Sequence, residues 1–146
     1  MLAKYYRFRV YNATKTPLVY ASGARVEITY IPWKLAAGGV LEYGTEVKQN
    51  TVFLNTAETI AAYGQSEGTV IDNSSDLNIG LKGTLRVTIN GITEIGHIHL
   101  YIETSTDNVV WPSDQTGFKL GQLEELKTMT IKTTTTGIIG AANFEA

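Results

Sequence analysis

The chain has 146 residues, the size of one domain that can bury a core without disulfides. Its hydrophobic fraction of 43% argues against disorder, and its net charge of -2 argues against a protein that coats nucleic acid. The absence of cysteine excludes disulfides, thiolate zinc sites and cysteine nucleophiles. No stretch approaches the roughly 18 apolar residues of a membrane helix. Twenty threonines and eight tyrosines favour pleated strands, so we expect one β domain over residues 1–146.

The start of the chain is basic and aromatic. The first 26 residues carry five basic side chains and no acidic one: Lys4, Arg7, Arg9, Lys15 and Arg25. Tyr6, Phe8 and Val10 alternate with polar residues, which predicts a strand. The simpler interpretation is a strand edge protected by charge, and the alternative is a docking end that meets an acidic partner. Because this start lacks the unbroken apolar run of a secretion signal, we expect a protein made and kept in a cytoplasm.

Two further strands are predicted before residue 50. The first is indicated by the alternation of Ala24, Val26, Ile28 and Tyr30 with polar residues, and we expect Pro32 to end it. The second runs from Val40 to Lys48, after a turn at Gly38 and Gly39. Asn55-Thr56-Ala57-Glu58 has the pattern of a capping box, which predicts a short helical turn through Tyr63.

The most regular alternation lies between Leu77 and Asn90. Its odd positions are apolar and its even positions polar, which predicts one long strand with a buried and a solvated face. Asn90-Gly91 predicts a tight turn. Beyond it, Ile98, Leu100 and Ile102 predict a neighbouring strand. A helical turn is expected between Leu123 and Lys127, and a last alternating strand between Thr128 and Thr133.

The tail from Gly137 to Phe144 is apolar, and we expect either an edge strand or an arm that docks on a neighbouring subunit. Residues 1–12 are a second candidate arm. If residues 137–146 form an arm, their deletion leaves the fold intact and weakens association. The short spacing of seven or eight strands predicts an antiparallel β-sandwich or barrel with one or two short helical turns.

Two motifs raise the question of catalysis or metal binding. Gly64-Gln65-Ser66-Glu67-Gly68 matches the G-x-S-x-G nucleophile elbow, which needs a strand before it and a helix after it. Here the expected order is reversed, so we do not expect a hydrolase. His97 and His99 share one strand face with Tyr101 and Glu103. Two imidazoles and a carboxylate can hold a metal ion, but the spacing does not place a third ligand in workable geometry. We expect these histidines to line the solvated face.

A polar turn precedes the second tryptophan. Ser105 and Asp107 predict a turn closed by its own side chains, with Trp111 as its aromatic anchor. If Trp111 is exposed beside Tyr101, it can instead stack on a sugar ring. Asn108-Val109-Val110 forms the tip of this turn.

Two segments have patterns beyond strand alternation. The stretch from Gly68 to Ile79 contains D-N-[ST]-x-x-L and leads into the long alternating strand. His99 to Asn108, followed by Trp111-Pro112-Ser113-Asp114, is similar to the pattern L-Y-x-E-x-S-T-D-G-x-x-W-P-S, with Asn108-Val109-Val110 in place of its glycine-rich turn tip. Both resemble segments of small structural proteins of tailed-bacteriophage virions. The resemblance covers roughly residues 60–120.

The resemblance implies a jelly-roll-like β-sandwich with no catalytic site and no cofactor. Among such proteins we expect a capsid decoration (cement) protein, a class that sits at capsid symmetry points, often as trimers, and holds neighbouring capsomers together. The implied partners are the major capsid protein and copies of the chain itself, with a trimer favoured, and neither nucleic acid nor a membrane. The implied location is the capsid surface, after synthesis in the bacterial host cytoplasm.

Partner contacts are expected from the aromatic and basic start, from the anchored turn and from the apolar tail. The candidate residues are Tyr5, Arg7, Arg9, Trp111, Ile138, Ile139 and Phe144. The alternative functions are a head-fibre or tail component and a carbohydrate-binding module that recognises host surface glycans.

Overall fold

The computed structural model describes residues 2–49, 59–89, 94–131 and 138–146, and the predicted all-β class is confirmed. In chain order, the strands are β1 (Tyr5–Ala13), β2 (Leu18–Val19), β3 (Arg25–Leu35), β4 (Leu41–Tyr43), β5 (Val47–Gln49), β6 (Thr59–Ile60), β7 (Gln65–Glu67), β8 (Ile71–Asp72), β9 (Gly80–Thr88), β10 (Gly96–Ser105), β11 (Glu124–Ile131) and β12 (Ile138–Glu145). Short 3-10 turns lie at Tyr20–Ser22, Ala37–Gly39, Pro112–Asp114 and Leu120–Gln122. Within the described residues, no helix is long and apolar enough to cross a membrane.

The strands form two antiparallel sheets that pack as a sandwich. The first sheet has the order β11-β10-β1-β7, and β8 also pairs with β1. The second sheet has the order β12-β9-β3-β4, and β5 also pairs with β3. A small third sheet joins β2 to β6. The expected sandwich of antiparallel strands is therefore present.

The core lies between the two sheets and is built from alternate residues of the long strands. The first sheet contributes Tyr6, Phe8, Val10, Ile98, Leu100 and Ile102, and the second contributes Val26, Ile28, Tyr30, Leu81, Leu85 and Val87. All of these side chains are at most 3% exposed. Because strand side chains alternate between faces, the sequence pattern predicted this inner face correctly.

Two predicted strand limits are wrong. β3 continues through Pro32 to Leu35, and Pro32 lies between the part of β3 that pairs with β5 and the part that pairs with β4. The missing N–H of proline therefore falls where the neighbouring strand is interrupted, a position that sheets tolerate. Leu77 precedes β9, is 67% exposed and has a left-handed φ of 52°, so it is outside the alternating strand.

Neither predicted helical turn is present in the described residues. Thr59–Ile60 is a strand, and residues 55–58 lie outside the described part of the chain. Glu124–Ile131 is a strand that follows the 3-10 turn Leu120–Gln122. The predicted strand from Val40 to Lys48 is divided into β4 and β5. The expected Asn90-Gly91 turn and Thr133 also lie outside the described residues.

The two candidate arms belong to the sheets. Tyr5–Ala13 is β1, which pairs with β10 on one side and with β7 and β8 on the other. Ile138–Glu145 is β12, the edge strand beside β9. Phe144 is 4% exposed, with its ring centroid 6.1 Å from that of Phe8. The tail is thus an edge strand with a core side chain, which was one of the two expectations.

Gly83 should not tolerate a side chain. A Cβ at this position would lie 2.5 Å from the carbonyl oxygen of Thr29 and 2.6 Å from the Phe144 ring. We expect Gly83→Ala to lower the free energy of unfolding by about 1–3 kcal/mol in urea denaturation, because the backbone must shift. Gly121→Ala is the matched control, since nothing lies within 4 Å of its Cβ, and it should change stability by less than about 0.5 kcal/mol. Equal effects of the two changes would contradict this packing.

Deletion of residues 138–146 should abolish cooperative thermal unfolding followed by circular dichroism. The deletion removes β12 and Phe144 from the core and leaves β9 unpaired on that side. Phe144→Ala is a milder variant and should cost about 3–5 kcal/mol. Asn143→Ala, at the exposed neighbouring position, is the control. A deletion variant that melts cooperatively near the wild-type temperature would show that the tail is a dispensable arm.

Candidate interaction surface

The start of β1, the start of β9 and the end of β3 meet at one end of the sandwich. Tyr5 is paired with Ser105 of β10. The Leu2 N–H donates to the Ile79 carbonyl at 3.1 Å, and the Ile79 N–H donates to the Trp33 carbonyl at 2.9 Å. The β3–β4 hairpin and the loops that follow β8 and β10 therefore share this end.

Exposed apolar side chains are concentrated at this end. The described residues include nine exposed large hydrophobic side chains, and seven of them belong to these loops and strand ends. We call this group the apolar end: Leu35 (55% exposed), Val40 (64%), Leu41 (46%), Tyr43 (50%), Leu77 (67%), Val109 (76%) and Val110 (55%). The remaining two, Tyr63 and Ile95, lie at the opposite end of the sandwich. Such clustering is typical of an interaction surface, whereas single exposed hydrophobics are common.

The β3–β4 hairpin contributes one face to the apolar end. Strand register places Trp33 opposite Tyr43 and Leu35 opposite Leu41, so all four side chains lie on the same face. The Lys82 ammonium lies 4.3 Å from the centroid of the Tyr43 ring. Trp33 covers Gly80, where a Cβ would lie 2.4 Å from the indole ring. The hairpin is thereby fixed against the second sheet at its base, and its tip is exposed.

The loop after β8 presents Leu77 in a fixed conformation. Buried Asn73 donates through Nδ2 to the Asn78 carbonyl at 2.8 Å and accepts the Asn78 N–H at 2.9 Å. The Leu77 N–H donates to the Asn73 carbonyl at 3.0 Å. Asp72 accepts hydrogen bonds from Ser74, which hold the pKa of the Asp72 carboxyl below its ordinary value. This loop is therefore ordered by its own hydrogen bonds.

The turn after β10 is closed by its own side chains, as predicted. The Ser105 hydroxyl donates to the Val110 carbonyl at 2.7 Å. Asp107 Oδ1 accepts the N–H groups of Val109 and Val110 at 2.9 and 3.0 Å. These backbone hydrogen bonds, that of Val110 first, hold the pKa of the Asp107 carboxyl below its ordinary value. Asn108 adopts the left-handed φ of 61°, a conformation that asparagine tolerates.

Arg7 and Arg9 are not free to meet a partner, because both are 8% exposed and bonded within the fold. Glu103 is fully buried on the outer face of the first sheet. Its Oε2 accepts from Arg7 Nε at 2.8 Å and from Arg9 Nη2 at 3.2 Å, and its Oε1 accepts the Ser113 N–H at 2.7 Å. Burial opposes ionisation of Glu103, but the hydrogen bonds from Ser113 and Arg7 outweigh it and lower its pKa.

Trp111 is also part of this cluster. It is 4% exposed, and the Arg7 guanidinium lies 4.2 Å from its ring centroid. The burial of its ring agrees with the predicted aromatic anchor and does not meet the condition of exposure on which the sugar-stacking alternative depended. Of the other expected contact residues, Tyr5 is half-buried beneath the Lys4 ammonium, and Phe144 is in the core. Ile138 and Ile139 lie in β12, but their side chains are outside the described part of the chain.

The histidines line the outer face of the first sheet, as expected. The His99 ring stacks between Tyr11 and Tyr101, with centroids 5.8 and 6.2 Å away. His99 Nδ1 lies 2.8 Å from Glu125 Oε1, and this hydrogen bond lowers the pKa of Glu125. His97 is exposed, with Nδ1 3.4 Å from the Thr130 hydroxyl. Across the described ranges, no group of three or more histidine and carboxylate side chains is placed to hold a metal ion.

The G-x-S-x-G motif does not form a nucleophile elbow. Ser66 lies within β7, opposite Val10 of β1. The chain then continues to another strand, β8, and not to a helix. The strained strand-to-helix turn that exposes a catalytic serine is therefore not formed by residues 64–68.

The sequence patterns did not identify the apolar end. The run from Leu35 to Leu41 around two glycines was a signal, because an apolar turn tip is unusual in a solvated loop. Leu77 could not be recognised, because it continues the alternation of β9 by one further step. Val109 and Val110 were noted only as the tip of the turn.

Removal of the buried carboxylate should destabilise the protein strongly. We expect Glu103→Ala to lower the free energy of unfolding by about 3–5 kcal/mol, because Arg7 and Arg9 lose their shared partner inside the fold. Glu67→Ala is the matched control, since Glu67 contacts the same two arginines but its side chain is 51% exposed, and it should cost at most about 1 kcal/mol.

The interactions of Glu103 also make the stability of the folded protein depend on pH. Because the pKa of Glu103 is lower in the folded protein than its ordinary value of 4.5, the stabilisation is present above pH 4.5 and is lost as the pH falls through the folded-state pKa. Urea denaturation between pH 3 and 7 measures this loss, and Glu103→Gln should reduce it. A wild-type stability that does not fall below pH 4.5 would contradict the assignment.

Comparison with known proteins gives no relative. No protein-family model matches the chain, and neither a curated protein nor a solved structure is significantly similar to it.

Proposed function

We propose that this protein is a non-enzymatic structural protein of the tailed-bacteriophage virion, a capsid decoration protein that binds and stabilises the major capsid shell. The main support is the apolar end, where seven exposed hydrophobic side chains share one end of a rigid sandwich. Burial of one such side chain contributes roughly 1.5–3 kcal/mol, so burial of all seven together can offset the free-energy cost of association.

The loops at this end are suited to binding without rearrangement. Asn73 orders the loop that carries Leu77, and Ser105 and Asp107 order the turn that carries Val109 and Val110. A preformed surface loses less conformational entropy when it binds, which favours persistent association. Persistent association is what a cement protein requires.

The sequence resemblance adds the biological setting. The stretch that resembles virion proteins includes Asp72-Asn73-Ser74 and the turn from Ser105 to Trp111. Both stretches form the ordered loops of the apolar end. A head-fibre or tail component would use the same surface, so the location on the particle is a separate question.

The proposal is tested by co-sedimentation of the purified protein with capsids that lack it and, in parallel, with isolated tails. We expect saturable binding to capsids with a fixed number of copies per shell, because decoration follows capsid symmetry. Binding to tails alone would assign the protein to the tail of the virion and not to its head. Binding to neither would overturn the proposal, and a signal on a glycan array would then favour the carbohydrate-binding alternative.

A further inference from the structure

We propose that the apolar end docks end-on against a partner protein surface that is apolar at its centre and basic around it. This inference rests on the proposed function and adds the orientation of the sandwich and the chemistry of the partner. It is carried by the continuity of the surface, by the conformation of Leu77 and by the charges around it.

Three grooves run across the apolar end and adjoin one another. The first lies beside the β3–β4 hairpin and includes Glu42, Asp76 and Asn78. The second shares Asn78 and is lined mainly by apolar groups around Leu77 and Ala3. The third shares Ala3 and extends to Val110. A partner seated on this end can therefore contact the hairpin, the Leu77 loop and the Asp107 turn together.

The backbone conformation and the exposure of Leu77 are energetically unfavourable in the free protein. A left-handed φ of 52° is unfavourable for a leucine, and its side chain is 67% exposed. The hydrogen bonds of Asn73 impose this conformation and direct the side chain outward. Residues in unfavourable backbone conformations cluster at functional sites. Here the unfavourable conformation of Leu77 keeps an apolar side chain exposed to solvent.

The charge around the apolar side chains is mainly negative. Segments 2–4, 33–44, 72–79 and 104–116 form this end, and they carry five exposed carboxylates against two ammonium groups, with the exposed Lys82 of β9 adding a third ammonium over the Tyr43 ring. The carboxylates belong to Glu42, Asp72, Asp76, Asp107 and Asp114, and the ammonium groups to Lys4 and Lys34. Asp72 and Asp107 have lowered pKa values, so they stay ionised in mildly acidic solution. A basic rim on the partner is the complementary arrangement.

The opposite end supplies matched controls. Ile95 is 69% exposed, almost the same as Leu77, and it precedes β10 at the far end of the sandwich. Glu94 lies beside it in an exposed ion pair with Lys15. End-on docking leaves both residues in solvent.

The first test compares Leu77→Asn with Ile95→Asn in binding to capsids that lack the protein. Asparagine accepts the left-handed conformation, so Leu77→Asn should keep or raise the melting temperature. We expect its affinity for capsids to fall about tenfold or more, because a buried leucine is lost from the interface. Ile95→Asn should bind like the wild type. Equal binding by all three proteins would overturn the inference.

The second test reverses charge. Asp76→Lys should weaken binding to the same capsids, and wild-type binding should weaken with added salt. Glu94→Lys is the control and should bind like the wild type. Stronger binding by Asp76→Lys would show that the partner surface is acidic and would overturn the proposed basic rim.

These tests separate the inference from the proposed function. If the wild type binds tails and not capsids, the decoration role fails, and the same variants on tails test end-on docking. If the wild type binds neither, both proposals fail. If Leu77→Asn changes the oligomeric state of the free protein in analytical ultracentrifugation but leaves capsid binding unchanged, the apolar end joins copies of the chain, and end-on docking to the shell is wrong.

Discussion

The fully buried carboxylate of Glu103 holds together the outer face of the first sheet, on which the position of the turn after β10 depends. Glu103 joins neighbouring strands through Arg7 and Arg9, and it anchors the segment after the turn through the Ser113 N–H. Since an unpaired charge at that depth is strongly unfavourable, the pairing of β1 with β10 and the position of the turn depend on each other. The turn at the apolar end is thereby tied to the outer face of the first sheet.

Much of the fold follows from alternation, and the main errors arise where tertiary structure overrides it. The inner faces of β1, β9 and β10 were predicted from apolar positions two residues apart. The polar positions of β1 and β10 were interpreted as solvated, yet Arg7, Arg9 and Glu103 are buried. Local sequence could not reveal this, because the segment that covers them lies about a hundred residues from β1 in the chain. Whether charges on different strands pair is decided by the tertiary structure and not by the local sequence.

The candidate surface was harder to predict than the fold, because its residues are defined by being exposed. The expected contacts were chosen as aromatic, basic or apolar residues at the two ends of the chain and at the anchored turn, and the fold buries Arg7, Arg9, Trp111 and Phe144. Leu77 illustrates the reason: its spacing continues the strand pattern, and only the hydrogen bonds of Asn73 turn the backbone before the strand begins. Exposure of a hydrophobic side chain is decided by such loop contacts and is not encoded in the alternation itself.

The placement of the two tryptophans gives the protein a pair of intrinsic fluorophores in contrasting surroundings. Trp111 lies beneath a guanidinium and is shielded from water, so its emission reports the integrity of the charge cluster. Trp33 is half-buried over Gly80 at the base of the exposed hairpin, so its emission responds to what covers that hairpin. Unfolding therefore changes the surroundings of both indoles, whereas attachment at the hairpin changes mainly those of Trp33, and the unlabelled chain can report both processes optically.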